Sequence, residues 1–257
     1  MTQFEIKDSV AFVTGTNKKN GIGRAIVHAL LAADAKKVYA TARNASQLED
    51  LAAESDGRVV AVSLDLTDLA GIRKLGEDYP DVTLVVNNAG YSADKSTLDG
   101  TKYAEQEIAI NYIAPLAVVN SFSTALKSAK STSEDVKGSA IVNVASITSL
   151  FSFPFEATYS ASKAAAHSLT QGQRRDLASS TLVIGVYPGP IDTDLAAKIP
   201  MDKVSPSVIA KAVVNALKTG TEDVFPDPTA VEVHEAWQAD AKALERKMAQ
   251  PMELLTS

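Results

Sequence analysis

Short, largely apolar runs alternate with helical patterns along nearly the whole chain, and this alternation restricts the fold more than any other feature. Runs such as SVAFVTG (9–15) and TLVIGVYPG (181–189) are too short for helices and carry apolar residues at consecutive positions. Strands of this kind are buried on both faces, and strand–helix alternation produces parallel sheets covered by helices on both sides. The sequence therefore predicts an α/β fold with a doubly wound, mostly parallel, Rossmann-like sheet.

The predicted elements follow one another without an internal repeat. Strands are predicted at 9–15, 37–42, 58–66, 82–90, 139–146 and 181–189, with a short edge strand within 222–228. Helices are predicted at 21–35, 46–54, 68–78, 102–127, around Tyr159 and Lys163, and at 207–217. A cut in the polar stretch 128–138 would separate a strand from its sheet, so we predict one domain over 1–257, with 229–257 as a helical extension. Ligands of such folds bind beyond the carboxyl ends of the strands.

Composition excludes several classes of function. The 257 residues are 46% hydrophobic, which is enough for a substantial core, and the net charge of −6 without a basic run argues against a nucleic-acid surface. The chain has no cysteine, and its three histidines are scattered, so neither thiolate chemistry nor a metal site is predicted. The apolar runs are too short to span a bilayer, and the amino-terminal sequence lacks the pattern of a signal peptide. We expect a cytoplasmic protein without a membrane partner.

A glycine-rich loop follows the first predicted strand and opens the first helix. Glycines let the backbone turn tightly and let a diphosphate approach the amino end of a helix, where free N–H groups and the helix dipole favour anions. Because of its place in the chain, we interpret this loop as the start of a dinucleotide site. Its predicted cofactor-binding residues are Gly15, Asn17, Lys18, Gly21, Ile22 and Gly23.

The end of the second predicted strand indicates which nicotinamide cofactor is preferred. An acidic residue there binds the ribose 2′-hydroxyl of NAD, whereas an arginine accommodates the 2′-phosphate of NADP. Ala42 occupies the acidic position and Arg43 follows it, while Lys18 and Lys19 could reach the same phosphate. The alternative is that Arg43 only faces solvent or caps the next helix, and that the two lysines do the same. We predict that NADP(H) is preferred and that NAD(H) is possible.

Tyr159, Lys163 and Ser146 form a candidate proton-transfer group. Tyr159 and Lys163 are four residues apart in a predicted helix, so their side chains share a face. A free tyrosine has a pKa near 10, and a neighbouring cation typically lowers such a pKa by about 1 to 3 units. The hydroxyl of Ser146 could hold a substrate oxygen beside the phenol. The trio is suited to moving a proton on or off a carbonyl or an alcohol, although the Tyr–Lys spacing alone also occurs by chance.

Several motifs, taken in order, resemble those of the short-chain dehydrogenase/reductase family over about residues 9–228. They are the glycine loop, LDL with Asp65, Asn87-Asn88-Ala89-Gly90, Asn111, Ser146, Tyr159-x-x-x-Lys163 and Pro188-Gly189-Pro190-Ile191-Asp192-Thr193. The chain resembles single-domain, NADP(H)-preferring carbonyl reductases of that family. It departs from the family pattern in one respect. Five residues instead of three separate Gly15 from Gly21, which leaves the detailed phosphate contacts open.

The resemblance implies a role for each motif. Tyr159 would be the general acid in reduction and the base in oxidation, and Lys163 would lower its pKa and bind the nicotinamide ribose. Ser146 would position the carbonyl, and Asn111 would anchor a water leading to Lys163. The remaining cofactor contacts would be Asp65 and Leu66 at the adenine, Asn88, Ala89 and Gly90 beneath the cofactor, and Pro188, Gly189, Ile191 and Thr193 at the nicotinamide end. The family also implies a homodimer or homotetramer, with helices 102–127 and 157–178 in the contacts.

On the substrate side, the aromatic segment 149–155 follows Ser146 and is predicted to form an apolar wall, or else to pack in the core or in a subunit contact. Tyr91 and the segment 192–201 are further candidates, the latter as a lid. We therefore predict an oxidoreductase acting on CH–OH groups, a carbonyl reductase or alcohol dehydrogenase for a small hydrophobic ketone or secondary alcohol. A dinucleotide-binding sensor without turnover is the main alternative. A nucleotide-sugar epimerase would need a larger substrate domain than the tail after Pro228 offers.

Overall fold

Residues 3–154, 156–197, 199 and 201–250 are described by a computed structural model of the chain. The strands are β1 (Gln3–Phe4), β2 (Val10–Val13), β3 (Lys37–Ala42), β4 (Val59–Ser63), β5 (Leu84–Asn87), β6 (Val136–Lys137), β7 (Ser139–Val144), β8 (Thr181–Val186) and β9 (Asp223–Val224). The helices are α1 (Ile22–Ala32), α2 (Glu49–Ala53), α3 (Leu69–Ile72), α4 (Leu75–Asp78), α5 (Thr101–Ile108), α6 (Ala114–Ser121), α7 (Ser123–Ser128), α8 (Ala157–Asp176), α9 (Pro206–Thr219) and α10 (Pro228–Met248).

Seven of the strands form one sheet in the order β4-β3-β2-β5-β7-β8-β9, and every pairing in it is parallel. The chain builds outward from β2 to β4, then crosses back to β5 and builds outward on the other side. The strand order therefore reverses between β2 and β5, where Val13 pairs with Ala40 on one side and with Val86 on the other. Such a reversal opens a crevice at the carboxyl ends of the strands. The predicted doubly wound parallel sheet is confirmed.

Both faces of the sheet are covered, as the apolar runs require. In β2 all four residues are buried, and alternate side chains enter different clusters. Val13 packs with Ile26 of α1 and Ile209 of α9 on one face, whereas Phe12 packs with Phe122 on the other. Full burial of a large apolar side chain contributes about 1.5–3 kcal/mol, so the two faces together account for most of the driving force. The core holds the carboxyl ends of the strands in fixed positions.

Two predicted helices are divided in the structure. The prediction of one helix over 102–127 is wrong in detail, because α5 runs into a π-helical turn, Ala109–Ile113, before α6 and α7. Pro115 in the first turn of α6 has no N–H to donate, which disfavours a regular helix across this point. The predicted helix 68–78 becomes α3 and α4, with Asp68 capping α3 through the amides of Ala70 and Gly71. The small parallel pair β1 and β6 was not predicted.

The carboxyl-terminal helix α10 folds back on itself. Asp240 has non-helical dihedral angles (φ −160°, ψ 95°), and its side chain accepts hydrogen bonds from the amides of Lys242 and Ala243, both at 2.9 Å. In a straight helix Glu232 and Lys247 would lie about 22 Å apart along the axis. Their side chains instead approach to 3.5 Å, so the two halves of α10 lie side by side. α10 ends at Met248, and residues 251–257 of the predicted extension lie outside the described residues.

None of the helices in the described part of the chain combines the length and the apolar character needed to cross a bilayer.

Candidate active site

A cavity of about 230 Å³ opens at the carboxyl ends of β5, β7 and β8. Its walls come from the segments that follow these strands, from α8, and from both halves of α10. The wall contains polar groups from α8 and from the turn after β7, and it also contains apolar side chains from α10 and from other loops. The apolar loop residues are Ile147, Phe151, Phe153, Leu195, Ala196, Ile199 and Met201. The cavity is thus lined by both polar groups that could react and apolar side chains that could contact a hydrophobic substrate.

The three side chains of the predicted proton-transfer group all line this cavity. Ser146 follows β7 and begins the short 3-10 turn Ile147–Ser149, accepting a hydrogen bond from the amide of Thr148 at 3.2 Å. Tyr159 and Lys163 lie one turn apart in α8 and are 8% and 4% exposed. The hydroxyl of Ser146 is close enough to the phenol of Tyr159 to lower its pKa by hydrogen bonding. A substrate oxygen in the cavity could therefore reach both hydroxyl groups.

Lys163 is held by the backbone of β7. Its ammonium donates a hydrogen bond to the carbonyl oxygen of Val144 at 3.0 Å and lies 5.6 Å from the centre of the Tyr159 ring. Burial lowers the pKa of Lys163 to about 8, because an apolar environment disfavours the charged form. The side chain is thus still mainly cationic at neutral pH, but its proton is less firmly held than that of an exposed lysine.

The pKa of Tyr159 is raised, which contradicts the predicted lowering by Lys163. Burial is the largest cause, and the negative charges of Glu156 and Glu107 act in the same direction. The hydrogen bond from Ser146 lowers the pKa of the phenol but does not outweigh these effects. The expectation failed because it counted the neighbouring cation and not the loss of solvent around the phenol. At neutral pH Tyr159 is protonated and can act as a proton donor.

Asn111 does not line the cavity; its side chain hydrogen-bonds to residues that surround the site. It lies in the π-helical turn, is 2% exposed, and its amide nitrogen donates to the carbonyl oxygen of Tyr91 and to the hydroxyl of Ser162, both at 2.8 Å. Its side-chain oxygen accepts from the amide of Tyr91 at 2.9 Å. Both amide protons are therefore used by protein groups. A water anchored at Asn111 could bind only to the side-chain oxygen or to the main chain.

The glycine loop has the close packing that a diphosphate site requires. Gly15 has φ +71°, and a Cβ added there would lie 2.8 Å from the Cα of Ala89. A Cβ on Gly23 would lie 2.5 Å from the carbonyl oxygen of Gly15 and 2.4 Å from the side-chain nitrogen Nδ2 of Asn88. Gly21, the N-cap of α1, provides no side-chain hydrogen bond to the first turn. The N–H groups of that turn are thus left for an anionic ligand, and the residues present fit a dinucleotide.

Two residues of the longer loop reach toward the segment after β8. The ammonium of Lys18 lies 2.6 Å from a carboxylate oxygen of Asp194, although both side chains are mostly exposed. Two residues later, the side-chain amide of Asn20 donates to the carbonyl oxygen of Asp192 at 2.9 Å. These contacts join the glycine loop to the predicted lid segment 192–201, in which Lys198 and Pro200 lie outside the described residues.

The charged residues near β3 form two separate pairs, Lys19 with Asp50 and Arg43 with Asp65. Lys19 lies 3.3 Å from Asp50, so this lysine has an acidic partner. Arg43 is exposed directly after β3, and Asp65 lies after the neighbouring strand β4. Hydrogen bonds from Thr67 and, to a lesser extent, the charge of Arg43 hold the pKa of Asp65 below its usual value. Arg43 and Asp65 thus lie close together at the carboxyl edge of the sheet.

The predicted cofactor-binding residues fall into two sets along that edge. Those that line the cavity are Ile22, Asn88, Gly90, Pro188, Gly189, Ile191 and Thr193, together with Tyr159 and Lys163. Those that lie outside the cavity wall, along the glycine loop and the ends of β3, β4 and β5, are Gly15, Asn17, Lys18, Gly21, Gly23, Arg43, Asp65, Leu66 and Ala89.

The predicted apolar wall is present in part. Phe151 and Phe153 line the cavity, with ring centres 6.2 Å apart, whereas Phe155 lies outside the described residues. Tyr91 is absent from the described wall and is instead bound to Asn111 through its main chain.

Other wall residues were missed by sequence reasoning. They are Glu156, from the start of α8, and Thr229, Glu232, Val233, Lys247 and Met248, from α10. The signal for α10 was Asp227-Pro228, since Asp227 caps that helix through the amide of Ala230 and also accepts from the amide of Gly189 at 2.8 Å. No local signal directs the second half of α10 back to the cavity.

Known proteins resemble this chain in sequence and in structure. The family model described as short chain dehydrogenase matches residues 9–204. An uncharacterised oxidoreductase of Staphylococcus saprophyticus is 30% identical over 227 residues, covering 83% of this chain and 93% of the relative.

Among solved structures, a short chain dehydrogenase from Burkholderia cenocepacia J2315 in complex with NADP is similar, with a TM-score of 0.87 and 35% identity over 96% of this chain and 100% of that one. The NADPH-bound carbonyl reductase from chicken fatty liver has a TM-score of 0.70 and 28% identity, over 83% of this chain and 92% of that one.

Proposed function

The chain belongs to the short-chain dehydrogenase family, and we propose that it is an NADP(H)-dependent oxidoreductase that interconverts a small hydrophobic ketone and its secondary alcohol. The observation that supports this proposal is the meeting of Ser146, Tyr159 and Lys163 in the wall of one cavity at the carboxyl edge of the sheet. The apolar side of that cavity, with Phe151 and Phe153, suits a substrate with a hydrophobic body.

In this proposal the bound cofactor supplies or accepts the hydride. The hydroxyl of Ser146 holds the carbonyl oxygen of the substrate beside the phenol of Tyr159. Tyr159, protonated at neutral pH, donates its proton to that oxygen in reduction. In oxidation the phenol first gives up its own proton through Lys163, and the phenolate then takes the proton of the alcohol. Lys163 stabilises negative charge on the phenol oxygen when the proton leaves, and its lowered pKa lets it pass a proton onward.

The dinucleotide would be held along the carboxyl edge. The amino end of α1, reached through Gly15, Gly21 and Gly23, would bind the diphosphate. The loops after β5 and β8 would hold the nicotinamide half, and the residues after β4 would line the adenine. The NADP complex of the similar Burkholderia protein supports this arrangement.

Arg43 is proposed to bind the 2′-phosphate, so Arg43→Ala is expected to lower kcat/KM with NADPH by about tenfold or more and to leave kcat/KM with NADH nearly unchanged. Hydrogen bonds to charged groups contribute about 1.5–3 kcal/mol, and NADH lacks the phosphate that receives them. Steady-state kinetics with both cofactors measure the effect. Arg175→Ala, at the exposed end of α8 on the opposite edge of the sheet, is the matched control. Equal losses with NADPH and NADH would refute the role of Arg43.

A panel of ketones and secondary alcohols, assayed with both nicotinamides at the absorbance of the reduced cofactor, tests the function itself. We expect NADPH to be consumed with at least one hydrophobic ketone, and with higher catalytic efficiency than NADH. Binding of NADPH without turnover across the whole panel would instead favour a dinucleotide-binding sensor.

A further inference from the structure

We propose that Glu156 selects ketones by charge, favouring a substrate that carries an ammonium group and rejecting one that carries a carboxylate. This inference rests on the proposed function, because it names the substrate class of the same cavity. It makes Glu156 a specificity-determining residue for an amine-bearing ketone.

Glu156 places a carboxyl group in the wall beside the reacting groups. The residue directly precedes α8, three positions before Tyr159, and it is 8% exposed. Although Glu156 is the N-cap of α8, its side chain makes no capping hydrogen bond to the helix. Glu156 instead lines the cavity together with Phe151 and Phe153, and its charge acts on the phenol of Tyr159. A charged group in this position is costly unless a ligand compensates it.

The groups around Glu156 add to its negative charge. Within the described part of the chain, the charges that act on Glu156 are those of Asp94 and Glu107, and both are negative. Glu107 is fully buried in α5, and its Oε1 accepts from the amide of Ala93 at 2.8 Å. Its Oε2 is buried and has no hydrogen-bond partner among the described residues. Burial and these like charges raise the pKa of Glu156 to about 7, against a hydrogen bond from Ser92.

The other charged residues of the wall already have partners. Lys163 donates to the carbonyl oxygen of Val144, and Glu232 lies 3.5 Å from Lys247 across the two halves of α10. Glu156 is therefore the wall carboxyl that a substrate cation would compensate, since an ammonium beside it offsets its charge and relieves the repulsion from Glu107. A substrate carboxylate would add a further negative charge to the same place. Charge complementarity of this kind acts mainly on specificity.

Three aryl ketones with one skeleton, bearing an ammonium, a methyl or a carboxylate group at the same position, test the proposal. We expect wild-type kcat/KM with NADPH at pH 8 to fall in the order ammonium, methyl, carboxylate. In Glu156→Gln the ammonium-to-methyl ratio should fall by about tenfold or more, because the carboxylate that accepts from the ammonium is replaced by a neutral amide. Glu105→Gln, an exposed residue of α5, removes the same charge and should leave the ratio unchanged.

The pH dependence of the wild-type enzyme provides a readout that does not depend on how the variant folds. Below pH 7 Glu156 is mainly protonated and above it mainly ionised, so the ammonium-to-methyl ratio should rise between pH 6 and pH 8. The chosen amine must keep its proton throughout this range. Besides Asp94 and Glu107, the titratable side chains of the surrounding wall are Tyr159, Lys163, Glu232 and Lys247. Glu107→Gln removes one like charge and should move the midpoint to lower pH.

The outcomes separate this inference from the function on which it rests. A ratio near one that neither pH nor Glu156→Gln alters, with the methyl ketone still reduced, would overturn the selection by charge and leave the oxidoreductase proposal intact. If NADPH binds and none of the three ketones is reduced, both proposals fail.

Discussion

Tyr159→Phe is expected to lower kcat/KM for ketone reduction by about a thousandfold while NADPH still binds. General acid catalysis contributes about 10²- to 10⁴-fold, and this substitution removes the donating hydroxyl while keeping the ring. The ring is 8% exposed and packs in the cavity wall, so the variant should fold normally. Steady-state kinetics measure the loss of turnover, and a fluorescence titration measures cofactor affinity.

The matched control for this substitution is Tyr79→Phe. Tyr79 ends α4 and packs with Phe12 and Tyr39, away from the cavity. Its phenylalanine variant should retain near-normal rates. If Tyr159→Phe also retained them, Tyr159 would not be the proton donor.

Lys163→Met is expected to lower kcat by about a hundredfold or more without lowering thermal stability at pH 7. The loss of activity follows from removing the cation that stabilises negative charge on the phenol oxygen. Stability should be kept because burial lowers the pKa of Lys163 from 10.5 to about 8, so the folded state holds this proton less tightly than the unfolded chain does. Loss of the hydrogen bond to Val144 opposes the gain.

The sign of this stability effect gives a second readout. A lysine whose pKa is lowered by folding destabilises the protein fully below about pH 8, and the penalty fades as the pH rises toward 10.5. The melting temperature of Lys163→Met relative to the wild type should therefore be highest near pH 7 and decline between pH 8 and pH 10. Lys211→Met, at an exposed position of α9, should show no such trend. Retention of wild-type kcat by Lys163→Met would contradict its proposed role.

The fold was predictable because its signals are local. Consecutive apolar residues in β2, β7 and β8 indicated strands buried on both faces, and their alternation with helices indicated parallel pairing. Breaks within helices could not be predicted as well from the sequence. The π-helical turn at Ala109–Ile113 depends on how α5 and α6 pack, as well as on Pro115.

For the candidate site too, local features were predictable and features that depend on packing were not. The spacing of Tyr159 and Lys163 is a helical property, and the structure brings both residues to the cavity that Ser146 lines. The direction of the pKa shift at Tyr159 could not be predicted, because burial and the charge of Glu107 arise only when α5 packs against α8. Likewise, no local pattern brings Lys247 to Glu232, since the fold of α10 depends on the interruption at Asp240.

Transfer of label from deuterated NADPH is the most direct test of the proposed reaction. The cofactor would carry deuterium at the transferable position of the nicotinamide, and a ketone from the panel would be reduced by the wild-type protein and by Tyr159→Phe. We expect the wild-type product to be a secondary alcohol with one deuterium on its carbinol carbon, and the variant to form almost none. Bound cofactor with no deuterated alcohol, or equal amounts from the two proteins, would contradict the assignment.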